Sequence, residues 1–130
     1  MTGEANYLFD TGALIDIYRG RDRIEPYFQS LLEGQAAFIS VISEAELWVG
    51  LRPDEMERHE ALVGHFSPLP IGSAVARQAG DWMRQFRASG LGWMDALLTA
   101  TAYTNQLTVL TRDRRLAAVL GNEVEFQVYD

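Results

Sequence analysis

Four acidic residues of this sequence stand where a predicted strand ends or a predicted helix begins: Asp10, Glu46, Asp95 and Asp113. Asp10 and Asp113 follow short apolar runs that are typical of buried strands. Glu46 lies in the first turn after another such run, and Asp95 begins a helix that leads into a strand. A helix that connects parallel strands begins at the edge where strands end, so we expect all four carboxylates at one end of the sheet.

Carboxylates gathered at one edge of a sheet repel one another unless protons or a cation compensate their charge. At ~4 Å and an effective dielectric constant near 20, two like charges repel by about 4 kcal/mol. A cluster of oxygen ligands suits Mg²⁺ or Mn²⁺, and such an ion can activate a water molecule against a phosphodiester. The four acids are therefore candidate ligands of a divalent cation.

Each acid also has a purely structural interpretation. The segment Ser43–Glu46 matches a capping box, in which the glutamate would bond the backbone of the serine. Asp95 and Asp113 could complement helix N-termini, and Asp10 could cap the first helix. Capping alone does not require an acid at all four positions, because Ser or Asn would serve as well.

Strands and helices alternate along the 130 residues. We predict strands at 7–10, 37–41, 67–71, 107–111 and 124–128, and helices at 13–18, 24–32, 43–51, 53 to about 65, 73–89, 94–103 and a short one ending at 120. The nearly continuous apolar runs fit strands buried on both faces, which favours an α/β fold with a mostly parallel central sheet. Pro68 and Pro70 place the third strand at a sheet edge. No linker divides the chain, so we expect one domain over residues 1–130.

The composition excludes several kinds of site. The chain has no cysteine and two histidines, which excludes disulfides, thiolate metal sites and thiol catalysis. All 11 basic residues are arginines, so lysine-dependent catalysis is excluded as well. No apolar run approaches ~18 residues and the first residues lack an apolar signal core, so we expect a cytoplasmic protein.

A net charge of −7 disfavours a nucleic-acid partner for the molecule as a whole. Arg112, Arg114 and Arg115 stand beside an acid of the cluster, where guanidinium groups could contact a phosphate or a protein partner. A second cluster lies within residues 19–23, and for it a solvated surface is an equally good interpretation.

The same residues resemble the PIN domain family, and within it the VapC-like toxins, along essentially the whole chain. Leu8–Asp16 resembles the family's opening Asp-Thr/Ser motif, and Ile39–Gly50 resembles the second, in which the Glu of Glu-Leu-x-x-Gly is the metal ligand. Gly92–Ala102 resembles the third motif, an Asp opening a helix rich in small residues. Val109–Asp113 resembles the fourth, with Thr111 as a supporting hydroxyl.

The resemblance implies a PIN-like three-layer sandwich with a sheet of four or five strands. It implies an endoribonuclease dependent on Mg²⁺ or Mn²⁺, in which the four acids, supported by Thr11 and Thr111, are catalytic and hold one or two ions. A metal-activated water would cleave RNA phosphodiesters and leave a 5′-phosphate. It further implies a homodimeric toxin of a VapBC-like pair, held inactive by a cognate antitoxin, with tRNA or ribosomal RNA among the family's substrates.

Two details of the motifs bear on the metal site. The second motif selects Glu46 as the ligand rather than Glu44, and Asp16, near the first, is interpreted as mostly structural. Many relatives carry a further acid after the fourth motif, whereas Arg114–Leu116 offers none, which leaves the number of ions open.

Other functional classes fit the sequence less well. A phosphatase of the haloacid dehalogenase kind needs a second Asp where this chain has Gly12, and both it and a receiver domain normally need a Lys. A catalytically silent PIN-like module that acts through its protein partner is the alternative, and the four intact acids argue against it. His59 and His65 are interpreted as surface residues, and Trp48, Trp93 and Tyr103 as core or dimer interface.

Overall fold

A computed structural model describes residues 6–130, in which strands and helices alternate as the sequence predicts. The strands are β1 (Tyr7–Phe9), β2 (Ala37–Ser40), β3 (Ser67–Leu69), β4 (Thr108–Thr111) and β5 (Phe126–Val128). The α-helices are α1 (Thr11–Tyr18), α2 (Glu25–Leu32), α3 (Val41–Val49), α4 (Met56–Val63), α5 (Ser73–Phe86), α6 (Trp93–Thr104) and α7 (Arg114–Leu120). Short 3₁₀ turns at Asp22–Ile24 and Pro53–Glu55 precede α2 and α4, and another at Arg87–Ser89 follows α5.

The five strands form one parallel sheet in the order β3-β2-β1-β4-β5. Leu8 of the central strand lies opposite Phe38 on one side and Val109 on the other. The chain builds outward from β1 to β3 in one direction and then adds β4 and β5 on the other side. The carboxyl ends of β1 and β4 therefore flank the point where strand order reverses, which is where sheets of this kind bind ligands.

Successive residues of the strands point to opposite faces of the sheet, and each face is covered by helices. Leu8 and Val109 pack with buried side chains of α5, α6 and α7. Phe9 and Leu110 pack with buried side chains of α1, α2 and α4. The result is the three-layer α/β sandwich with a parallel central sheet, so the predicted fold class is confirmed.

Two local interpretations are wrong. Helix α3 begins at Val41 with Ser40 as its N-cap, whose hydroxyl accepts from the Ile42 N–H at 3.1 Å, so the alternative capping box at Ser43–Glu46 does not form. His59 is only 4% exposed, and its ring packs against those of Tyr18 and Trp48.

Trp48, Trp93 and Tyr103 are about half exposed, so of the two interpretations, core or dimer interface, the core is excluded for them.

Within residues 6–130 no helix combines the length and apolarity that crossing a bilayer requires.

The two-sided core makes a specific stability prediction. Val109 of β4 is fully buried, whereas Val49 at the end of α3 is 87% exposed. Val109→Ala should lower the free energy of unfolding by about 2 kcal/mol, since it removes two buried methyl groups and leaves a cavity. The matched Val49→Ala should change it by less than about 0.5 kcal/mol. Urea unfolding measures both, and equal losses would contradict the described packing.

Candidate active site

All four predicted acids line one cleft of about 460 Å³ beyond the carboxyl ends of β1 and β4. β1 leads directly into Asp10 and β4 leads through Arg112 into Asp113, while α3 supplies Glu46 and α6 supplies Asp95. The remaining lining residues are Thr11, Gly12, Met94, Leu98 and Arg112. The expectation that the four carboxylates lie at one end of the sheet agrees with this arrangement.

Asp10 is held in place by the backbone that surrounds it. Its Oδ1 accepts a hydrogen bond from the Ala13 N–H at 2.7 Å, so it caps the N-terminus of α1. Its Oδ2 accepts from the hydroxyl of Thr111, and its own N–H donates to the Leu110 carbonyl at 3.1 Å. These bonds tie Asp10, which follows β1, to α1 and to the neighbouring strand β4.

Thr111 connects two acids of the cleft. While its hydroxyl donates to Asp10, its Oγ1 accepts from the Asp113 N–H at 2.9 Å. Asp113 in turn caps α7, because its Oδ1 accepts from the Leu116 N–H at 3.0 Å. Thr111 is fully buried, so its hydroxyl is fixed between the two acids. The geometry agrees with a supporting role for this hydroxyl.

Glu46 and Asp95 reach the cleft in different ways. The Thr11 hydroxyl donates to Glu46 Oε1 at 2.6 Å and lies 2.9 Å from the Ser43 hydroxyl, so α1 orients a side chain of α3. Asp95 lies in the first turn of α6, whose N-cap is Gly92, and it makes no capping bond. The capping interpretation therefore holds for Asp10 and Asp113 and does not explain Glu46, whereas Asp95 lies where a carboxylate complements the N-terminus of α6 without a capping bond.

The carboxylates of the cleft influence one another electrostatically. Burial, together with the charges of Asp95 and Asp113, raises the pKa of Asp10 to about 6, although the hydrogen bonds from Thr111 and Ala13 act to lower it. Burial also raises the pKa of Asp95, as do the neighbouring Asp113 and Glu46, whereas Arg115 lowers it. Both pKa values are raised, which means that burial and mutual repulsion disfavour negative charge on Asp10 and Asp95.

The donor set fits a hydrated divalent cation better than a closed cage of protein ligands. Among residues 6–130, no three carboxylate or imidazole groups already stand close enough together to hold one ion. Mg²⁺, however, is usually bound through one or two carboxylates and retains several waters. A cleft of about 460 Å³ lined by four carboxylates offers oxygen ligands and leaves room for those waters.

The predicted arginine cluster divides in space. Arg112 lines the acid cleft, and Arg115 lines a smaller adjoining pocket together with Asp95 and Asp113. Arg114 instead pairs with Asp130 at 2.9 Å and does not line the cleft. Two of the three guanidinium groups are therefore placed beside the acids.

Sequence reasoning missed the contribution of Asp16. It is only 2% exposed, its Oδ1 lies 3.2 Å from Nη1 of Arg112, and its Oδ2 accepts from the Tyr129 hydroxyl at 2.7 Å. The signal that could have marked it is a single acid inside the apolar helix segment Ala13–Tyr18, because a buried carboxylate requires a partner.

Residues 7–121 match the family model described as PIN domain. Over 108 residues, 80% of each chain, the sequence is 36% identical to Ribonuclease VapC10 of Mycobacterium tuberculosis. A toxin-antitoxin complex from Klebsiella pneumoniae contains a chain of 27% identity and TM-score 0.74, with 87% of this chain and 91% of that chain covered. A DNA-bound VapBC from Salmonella typhimurium, 20% identical with TM-score 0.80 and 96% and 98% coverage, has the same fold.

Repulsion within the cleft makes Asp95→Asn a stabilising substitution in metal-free protein. Asp95 makes no capping bond, and its neighbours disfavour its charge, so the amide should raise the melting temperature by about 2–4 °C. Glu57 also lies in the first turn of a helix but does not line the cleft, and Glu57→Gln should change the melting temperature little. A lower melting temperature for Asp95→Asn would mean that the favourable interaction of this carboxylate with the N-terminus of α6 outweighs its repulsion by the other acids of the cleft.

Proposed function

The chain belongs to the PIN domain family, and we propose that it is an endoribonuclease dependent on Mg²⁺ or Mn²⁺, the toxin of a VapBC-like toxin-antitoxin pair. The observation that carries this proposal is the meeting of Asp10, Glu46, Asp95 and Asp113 in one cleft at the reversal of strand order. Similarity to Ribonuclease VapC10 favours RNA as the substrate.

The acids would hold one or two cations, and their neighbours would keep the ligand oxygens in place. The Ala13 N–H and the Thr111 hydroxyl hold Asp10, and the Thr11 hydroxyl holds Glu46. When bound, the cation supplies Lewis-acid stabilisation of the charge that develops on the phosphate and activates the attacking water. No histidine lines the cleft, so a side-chain imidazole base is not part of the proposal.

Charge explains why cation and arginines would act together on RNA. Four carboxylates at the site and a net charge of −7 repel a phosphodiester. A divalent cation in the cleft would offset part of this negative charge, and the guanidinium groups of Arg112 at the cleft wall and of Arg115 in the adjoining pocket would contact the phosphates. Binding of RNA would then depend on prior binding of the metal.

We extend the proposal to two protein partners, a cognate antitoxin and a second copy of this chain. The relative from Klebsiella pneumoniae is described as part of a toxin-antitoxin complex, which supports the first. Side chains of Trp48 and Val49 on α3 and of Trp93 and Met94 on α6 are about half exposed or more, and these two helices contact each other. That surface supports an interface with one of these partners.

Asp10→Asn should abolish Mn²⁺-dependent RNA cleavage while the protein stays folded. The amide keeps the shape and the cap of α1 but loses the charge, and we expect a fall in rate of more than about a hundredfold, since weakening even outer contacts of a metal site costs ten- to a hundredfold. Asp81→Asn is the control, an exposed acid of α5 paired with Arg84. Cleavage of tRNA and ribosomal RNA is followed on gels with and without chelator. Chelator-sensitive cleavage by Asp10→Asn would refute the assignment of Asp10 as a metal ligand.

Divalent cations should stabilise the wild-type protein independently of activity. A ligand that binds only the folded state at about 100 times its dissociation constant adds about 2.7 kcal/mol. Addition of MgCl₂ or MnCl₂ should therefore raise the melting temperature by several degrees, and NaCl of equal ionic strength should not. Glu46→Gln should weaken the response. An equal response to both kinds of salt would argue against a specific cation site and in favour of a silent binding module.

A further inference from the structure

Asp16 carries a charge that is buried outside the set of proposed metal ligands. It projects from α1 and is 2% exposed. The Tyr129 hydroxyl donates to Oδ2 at 2.7 Å, and the cations near Oδ1 are Nη1 of Arg112 at 3.2 Å and Nε of Arg21 at 4.0 Å. A carboxylate removed from water to this extent requires a cation beside it. Its closer cation is Arg112, so Asp16 restricts where that guanidinium can lie.

Arg112 stands between two cavities. It lines the acid cleft, and it also lines a neighbouring cavity of about 320 Å³ together with Asp16 and Tyr129. A Cβ atom added to Gly12 would lie 3.5 Å from Oδ1 of Asp10 and 3.9 Å from Nε of Arg112, so the arginine passes close to the first acid. Its side chain is 47% exposed, which leaves N–H donors that can reach a ligand in the cleft.

The other acid of the second cavity that forms ion pairs, Asp130, is paired with arginines other than Arg112. Asp130 forms ion pairs with Arg23 at 3.7 Å and Arg114 at 2.9 Å. Burial and the neighbouring Asp16 raise the pKa of Tyr129, so its hydroxyl stays a donor. Arg112 is thus the arginine of this cavity that also faces the acids.

Without Asp16, the carboxylates of the cleft would attract the same guanidinium. Arg112 would then be free to turn toward Asp10 and to neutralise the acids, in the space that a cation is proposed to occupy. The ion pair with Asp16 opposes this movement and holds the planar group at the wall of the cleft. A guanidinium held in this way can bind a phosphate through two parallel N–H groups.

We propose that Asp16, fixed by the Tyr129 hydroxyl, is a positioning residue that holds Arg112 at the wall of the acid cleft to bind an RNA phosphate next to the cleaved bond. This inference rests on the proposed ribonuclease function. It assigns Asp16 no contact with the substrate and no place among the metal ligands.

The test compares Asp16→Asn, Arg112→Ala and the double variant in cleavage of a labelled single-stranded RNA with Mn²⁺. With Mn²⁺ at a concentration that saturates each variant, Asp16→Asn should raise KM at least about tenfold, the factor that matches the loss of one charge-assisted hydrogen bond to the phosphate, with kcat changed less than about threefold. In the Arg112→Ala background the same substitution should have no further effect on KM, because its influence passes through the arginine. Asp22→Asn is the matched control, since Asp22 lines the same cavity and makes no ion pair with Arg112.

Tyr129→Phe provides a second variant that keeps the carboxylate and removes only its hydroxyl donor. It should raise KM in the same direction by a smaller factor, and circular dichroism and Mn²⁺ titration establish that each variant is folded and binds metal. Active wild type with equal KM values for Asp16→Asn and Asp22→Asn would overturn the positioning role and leave the ribonuclease function intact. Additive effects of Asp16→Asn and Arg112→Ala would also overturn it. Failure of the wild type to cleave RNA would overturn both proposals.

Discussion

Mutual repulsion of four carboxylates in one cleft is the constraint that the surrounding structure must accommodate. The charges of Asp10 and Asp113 are partly compensated by the N-termini of α1 and α7, because each carboxylate accepts a hydrogen bond from a backbone N–H there. Thr111 and Thr11 add hydroxyl donors, so each bond that orients an oxygen also offsets part of its charge. The repulsion that remains among the carboxylates lowers the stability of the fold. The two apolar layers on either side of the sheet supply the stability that offsets it.

The parallel sheet determines which residues can share the cleft. Every strand ends at the same edge, and the order of the strands reverses beside β1. Asp10 and Asp113 are therefore neighbours in space although 103 positions separate their numbers in the chain. Chain connectivity, rather than any local property of these acids, brings them together. A similar sheet with another strand order would separate them.

Local pattern was enough to predict the elements and three of the four acids. Each strand is a short apolar run, and Asp10, Asp95 and Asp113 stand just after such a run or at the start of a helix. Glu46 lies in the second turn of α3, because that helix begins earlier than predicted, and the family motif rather than local pattern selected it over Glu44. Asp16 was underestimated because its partner Tyr129 lies 113 residues away in sequence. Arg114 was grouped with its neighbours, since no local pattern reveals its pairing with Asp130. His59 reads as part of a charged helix face, and only packing against Tyr18 and Trp48 buries it.

Strand β3 is the outermost strand on one side of the sheet, and its sequence also affects how the molecule can associate with other copies of itself. An outer strand exposes backbone groups that can template the addition of a strand from another molecule, which is a route to aggregation. Pro68 lies within β3 and Pro70 directly after it, and neither has an N–H to offer an incoming strand. The molecule thus carries a built-in protection against edge-to-edge self-association on this side of the sheet.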